Sequence, residues 1–402
     1  MEIRSVTLFC EASQSPAAFR PFFAAARDRF AVPVQSLRLG TTPFPDWLPA
    51  GRAGAAAADF AERWQAAGAD YVSLGPVRLD DDPAWVEALP GILGAAGGLF
   101  ASAEIATSDG RLSLDRCREV ARLVRRVSTL SPPGMPGDGF GNLFLGALAG
   151  VGSGHPFLPA SYAAPGPPSF ALAVESADVA LAAIRGAGTL DEARVALVEA
   201  LEGIAAALVP PAAALAAEFG LRFDGLDLSL APYPAAGKSL GGALEALGPA
   251  HVGAPGSLFA AAFITEAIGR ARFPRAGFCG LMLPVLEDTV LAVRAAEGRL
   301  SLADLLSYAA VCGVGLDTVP LPGDIDEATL AGILLDTAAL SARARKPLVA
   351  RLMPLPGKAA GDPVAFDFPY FAAGRVMAPR GPGVGRLLAG VGAVSLNAYR
   401  EQ

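Results

Sequence analysis

Tyr308–Ile325 reads YAAVCGVGLDTVPLPGDI. An apolar run enters a cysteine, two glycines follow within three residues, and an aspartate, two prolines and a second aspartate close the stretch. The run is strand-like, and Gly313 and Gly315 allow the sharp backbone turn that would end it. Reading 309–315 as a strand followed by a hinged loop makes it one more beat of a recurring pattern. Other strand-like runs lie at 3–9, 32–39, 70–75, 99–105, 169–174, 225–230, 277–283, 347–353 and 391–397. Helical spacing of apolar residues marks 16–30, 114–127 and 326–345, the last with Asp324 or Asp326 as its cap. Strand and helix alternating this often predict a parallel α/β core. About ten strands are too many for an eight-stranded barrel.

One interval breaks the rhythm. Residues 130–169, LSPPGMPGDGFGNLFLGALAGVGSGHPFLPASYAAPGPPS, are rich in Gly and Pro and too long for a plain connection. They read as a functional or structured excursion. Composition does not shift there, so residues 1–402 are expected to form one domain. The 402 residues are 52% hydrophobic and 18% charged, enough for a large core. Thirty-two basic against 39 acidic residues give a net charge of −7 with no basic tract, which argues against nucleic acid as a partner. The most apolar window, 196–219, is interrupted by Glu199, Glu202 and Pro210-Pro211 and reads as a helix pair, not a membrane span. The first residues lack a signal-peptide pattern, and the four cysteines lack CxxC spacing. A cytoplasmic protein is expected, and its Ala-rich helices suggest a homodimer or higher homo-oligomer.

Several motifs fail on inspection. PYPAAGKS (232–239) has Pro232 where a phosphate-binding loop needs glycine, so it reads as a turn before a helix capped near Ser239. GDGFG (137–141) follows coil, not a strand, and GVGSGHP (150–156) lacks nucleophile-elbow spacing. No nucleotide motif stands in the chain, and two histidines are too few for a His-based zinc site.

Polar residues gather in the last third. Glu287 and Asp288 follow one strand, Asp317 and Thr318 follow Cys312, and Asp324, Arg351, Lys358, Asp367 and Tyr370 come after. Glu287, Asp288, Asp317 and Asp324 could ligate a hard divalent cation, Mg or Ca, through oxygen. Arg351 and Lys358 could clamp an anionic substrate. Cys312 is open to two readings: a thiol activated in a polar pocket, or a buried structural residue.

The stretch 277–325, with 345–371 (RKPLVARLMPLPGKAAGDPVAFDFPYF), DGFGN (138–142), DYVSLGP (70–76) and IRSVTLF (3–9), resembles the family known as domain of unknown function 711. The resemblance spans nearly the whole chain. It implies a ten-stranded α/β barrel of two parallel half-barrels, similar to that of pyruvate formate-lyase and ribonucleotide reductase. An inner loop would thread that barrel, and by analogy VCGVGLDT with Cys312 would be this loop. The tail from Gly374 onward lacks the motif that stores a glycyl radical, so radical chemistry is not implied. The expected function is an enzyme of hydrolase or lyase type acting on a small polar or anionic metabolite. Cys312, Asp317, Glu287 and Asp288 would do the chemistry, Arg351, Lys358 and Asp367 would hold the substrate, and Asn142 and Asp138 would close over it. The alternative is a metabolite-binding or regulatory protein that turns nothing over.

Overall fold

The computed structural model describes residues 1–134, 136–137 and 139–399. Its framework is ten strands: β1 (Glu2–Cys10), β2 (Leu37–Thr41), β3 (Tyr71–Val77), β4 (Leu99–Ala106), β5 (Arg111–Ser113), β6 (Leu145–Ala149), β7 (Ser169–Glu175), β8 (Arg222–Ala231), β9 (Gly315–Pro322) and β10 (Leu348–Leu355). They join one mixed, mostly parallel sheet in the order β8-β7-β1-β2-β3-β4-β6-β10-β9, with β5 beside β4. β1, β2, β3, β4 and β6 run parallel. The pairs β7–β8 and β9–β10 are each internally parallel and join the five antiparallel at opposite edges. The segment 275–284 is bridged once to β8, at Leu226, and once to β9, at Asp317.

The helices are α1 (Pro16–Asp28), α2 (Ala53–Ala66), α3 (Ala84–Leu93), α4 (Leu114–Val127), α5 (Ala177–Arg185), α6 (Leu190–Phe219), α7 (Leu240–Ala246), α8 (Ser257–Arg270), α9 (Thr289–Ala296), α10 (Leu302–Ala309) and α11 (Glu327–Ala344). Their starts follow capping chemistry. Ser113 accepts from Arg116 N to begin α4, Asp326 accepts from Thr329 N to begin α11, and Ser239 begins α7. α6 runs unbroken through Pro210 and Pro211, where the sequence suggested two helices. It is long and apolar enough to cross a membrane, and it packs against α5, α8 and β8. That packing offsets the backbone hydrogen bonds the prolines remove.

Further expectations are corrected. Residues 309–315 are not a strand. A Ser301–Asp304 capping box starts α10, which runs to Ala309, and extended chain begins only at Gly315. Residues 277–283 form no strand either, because Gly277 (φ 71°) and Cys279 (φ 44°) leave the extended region. The excursion at 130–169 contains a core strand, β6, whose sequence LGALA is buried throughout between β4 and β10. Glycine, alanine and leucine carry little β-propensity, so packing alone makes that strand. Of 391–397, only Ala393–Ser395 is a strand, paired with β5.

Two β-bulges matter for function. Pairing of β1 with β7 steps from Ile3↔Val174 to Ser5↔Ala173, so Arg4 is an extra residue with no partner. Pairing of β10 with β9 steps from Ala350↔Leu316 to Leu352↔Val319, so Asp317 and Thr318 together oppose Arg351. Thr318 sits at φ 43°. Bulges bend a strand and re-aim side chains. The remainder of the excursion, 151–163, lies as a strap across the sheet. Ser5 Oγ donates to Pro156 O at 3.4 Å and Ser73 Oγ to Ser161 O at 2.6 Å. A Cβ on Gly40 would lie 2.7 Å from Ser161 Oγ, and one on Gly146 2.7 Å from Pro159 Cγ, so bare backbone makes room for the strap.

Gly315, where β9 begins, has φ 106°, and a Cβ there would meet Val349 O at 2.4 Å. Gly315→Ala is expected to cost about 2–4 kcal/mol, read as a lower midpoint of denaturant unfolding. An unchanged midpoint would show that the entry to β9 tolerates a side chain.

Candidate functional site

The bulges bring four charged side chains from separate segments into one line. Arg351 Nε donates to Asp317 Oδ1 at 2.5 Å, its Nη2 to Glu287 Oε1 at 3.1 Å, and its Nη1 to Leu143 O at 3.4 Å. Arg4 Nη2 donates to Glu287 Oε2, and its Nη1 to Pro232 O at 3.2 Å. Each oxygen of Glu287 is therefore held by a different arginine. Glu287, Asp317 and Arg351 are all buried, and only mutual pairing makes such burial tolerable. Burial pushes the Asp317 carboxyl up, Arg351 pulls it down, and Glu287 adds to the rise. Its Oδ2 has no hydrogen-bond partner among the described residues.

Arg4, Glu287 and Arg351 form one side of a cavity of about 90 Å³. Arg38, Tyr71 and Tyr370 line it as well, with walls from Phe100, Phe144, Phe157, Leu158 and Phe368. Arg38 differs from the other two arginines. Its Nε donates to Ser36 Oγ at 2.8 Å and its Cζ lies 6.0 Å from the Tyr71 ring centre, but no carboxylate among the described residues pairs with it. Burial pulls its guanidinium down to about 10, and the neighbouring Arg4 adds to the pull. Ser36 Oγ donates in turn to Arg4 O at 2.7 Å, which ties the two strands carrying the arginines together. Tyr370 lies 6.0 Å from Arg4 Cζ and packs edge-on against Tyr233.

The residues singled out from sequence divide sharply. Glu287, Asp317 and Arg351 come together as expected, although Arg351 is engaged by carboxylates and Asp317 stands behind the cavity wall. Cys312, expected to project into a shared cavity, is 2% exposed within the main hydrophobic core and does not line the pocket. Its loop is pressed against a neighbouring segment: a Cβ on Gly280 would lie 2.3 Å from Gly313 Cα. Burial pushes the Cys312 thiol up, which only Lys346 and local backbone donors oppose. Asp288 is a structural carboxylate. It accepts from Ser239 Oγ (2.6 Å), Leu240 N (2.7 Å) and Gly241 N (3.0 Å) at the start of α7, and from Val290 N (2.9 Å) and Leu291 N (3.1 Å) at the start of α9.

Asn142 is also buried, and its Nδ2 donates to Val124 O at 3.0 Å, closing the last turn of α4 instead of covering a site. Asp138 lies outside the described residues. Lys358 sits in the turn after β10, where Gly323 N donates to its carbonyl at 3.0 Å, and Asp324 and Asp367 are exposed. The four acidic metal candidates are thus split between two arginines, two helix ends and solvent. Among the described residues no group of three or more His, Cys, Asp or Glu is placed to hold a metal ion. Arg4, Arg38 and Tyr71 were not singled out from sequence. An arginine inside an apolar strand pattern, as in IRSVTLF and SLRLG, is the signal that could have found the first two.

Two measurements check these assignments. Iodoacetamide near pH 8 should leave the Cys312 peptide unlabelled in the folded protein and label it in urea, since a reactive thiol needs exposure and thiolate character. Asp288→Ala should cost about 2–4 kcal/mol in denaturant unfolding, because two helix caps vanish and buried donors lose their acceptor. A loss under about 0.5 kcal/mol would remove the capping role.

Comparison with known proteins places the chain. The family described as Uncharacterised ACR (DUF711) matches residues 1–368. A UPF0210 protein of Pyrobaculum islandicum is 30% identical over 365 residues, 85% of this chain and 78% of that protein. One from Desulfovibrio desulfuricans is 28% identical over 365 residues, 84% and 78% of the two chains. A third, from Pyrobaculum arsenaticum, is 44% identical over 152 residues, a match spanning 37% of this chain and 34% of that relative. A family pattern that starts at β1 and ends past β10, taking in the strands that carry Arg4, Arg38, Asp317 and Arg351, leaves one assignment: the chain belongs to the DUF711 family.

Proposed function

We propose that the chain binds a small anionic metabolite in the cavity beside Arg38. The observation that carries this reading is the guanidinium of Arg38, which lines the cavity without a carboxylate partner among the described residues while Arg4 and Arg351 are both paired with Glu287 or Asp317. A partly buried, unpaired cation is costly, and an incoming anion recovers that cost through charge-assisted hydrogen bonds. Arg351, Glu287, Asp317 and Arg4 act as a paired frame along one part of the cavity. In this reading Lys358 and Asp367 leave the ligand contacts and Arg38 takes their place.

A hydrolase- or lyase-type enzyme is the second reading. The unpartnered Oδ2 of Asp317 and its elevated carboxyl favour it, since a group poised this way can store a proton. Against it stands Glu287, whose two oxygens are both taken by arginines, leaving a poor base facing the cavity. The architecture behind either reading is a closed barrel of two five-stranded halves within one domain, with 275–284 as the missing stave. The single bridges from that segment to β8 and β9 support it.

Acetate, propionate, sulfate and phosphate at millimolar concentration are the first probes. At least one should raise the thermal unfolding midpoint of the wild-type protein and leave Arg38→Met unmoved. Indifference of the wild-type midpoint to all four would end the reading.

A further inference from the structure

Taking the cavity as an anion site, its shape and walls narrow the ligand further. Nε of Arg38 is committed to Ser36 Oγ, which leaves the two Nη nitrogens as an end-on fork. Such a fork matches the two coplanar oxygens of a carboxylate. Besides the charged groups, Gln35, Ser36 and the two tyrosines, the lining is Leu143, Phe100, Phe144, Phe157, Leu158 and Phe368, so an anion with oxygens on all sides would turn some of them toward hydrocarbon. Phosphate and sulfate are of that kind. A carboxylate presents its oxygens on one side and hydrocarbon on the other. Charge points the same way: three guanidiniums against the two carboxylates of Glu287 and Asp317 leave one positive charge in excess, which one negative charge balances. Size sets the upper bound. A cavity of about 150 Å³ holds benzene, so the 90 Å³ found here favours a ligand smaller than a six-carbon ring.

We propose that the ligand is a short-chain monocarboxylate, its carboxylate on the two Nη nitrogens of Arg38 and its hydrocarbon against the aromatic wall. The fork supplies orientation, the ring faces supply apolar contact, and the small volume rejects longer chains and aromatic acids. Tyr71 flanks the guanidinium, its ring centre 6.0 Å from Arg38 Cζ.

Titration calorimetry on the full chain tests this with propionate, butyrate, hexanoate, benzoate, inorganic phosphate and sulfate. Propionate or butyrate should bind at least about thirtyfold more tightly than phosphate, sulfate, hexanoate or benzoate. Arg38→Met should abolish that binding. Arg38→Lys, which keeps the charge and loses the fork, should weaken it about tenfold or more and serves if the methionine variant fails to fold. Phosphate or sulfate binding as tightly as propionate in an Arg38-dependent way would overturn the monocarboxylate assignment and leave the anion pocket standing. Equal binding of benzoate or hexanoate would overturn the size limit. Absence of any Arg38-dependent binding would overturn both this inference and the pocket reading it rests on.

Discussion

Everything about the site follows from the cost of burying charge. Glu287, Asp317 and Arg351 are each at most 4% exposed. None could stay ionised there alone. They are tolerable because the chain delivers them to each other: Glu287 just before α9, Asp317 in the bulge of β9, Arg351 opposite it on β10, and Arg4 as the extra residue of β1. A regular ladder would alternate these side chains rigidly between the two faces. The bulges break that alternation at the positions where charges must meet. The line of ion pairs is therefore a constraint on sheet geometry as much as a product of it. It also explains why Arg38 stands out, since among the described residues no carboxylate forms an ion pair with it.

The α/β class and most of the long strands were legible in the sequence. β1, β3, β4, β7, β8 and β10 fall on the runs read as strands, and α1, α4 and α11 on the helical spacings. Those segments carry strong local signals: β-branched and aromatic runs, or caps ahead of amphipathic faces. The misreadings share a cause. β6 is built from glycine, alanine and leucine and is a strand because its neighbours on both sides are. The run at 309–315 looked extended because small apolar residues fit a helix end as well as a strand, and the capping box eight residues upstream of Ala309 decides between them. α6 survives two prolines through packing that no local pattern encodes.

The site was legible only by half. Polar density in the last third pointed to Glu287, Asp317 and Arg351, which do meet. It could not separate them from Asp288, one residue from Glu287 and facing two helix ends. Glu287 lies in a tight turn closed onto Pro284 O and Asp288 is the extended N-cap of α9, so neighbours in sequence face different partners there. Cys312 failed for a different reason. Glycines beside a thiol can free it for display, or let two backbones touch and seal it; the contact between Gly313 and Gly280 makes it the second. Arg4 and Arg38 lie roughly 250 to 350 residues from the polar cluster, and only the strand order carries them to it.

The strap has a topological origin. β6 and β7 are consecutive in the chain yet sit on opposite flanks of the five parallel strands, five inter-strand steps apart. At about 4.8 Å per step the chain must travel roughly 24 Å to start its second half. It takes the short route, straight over the sheet, and so Phe157 and Leu158 arrive at the pocket as passengers on an unavoidable crossing.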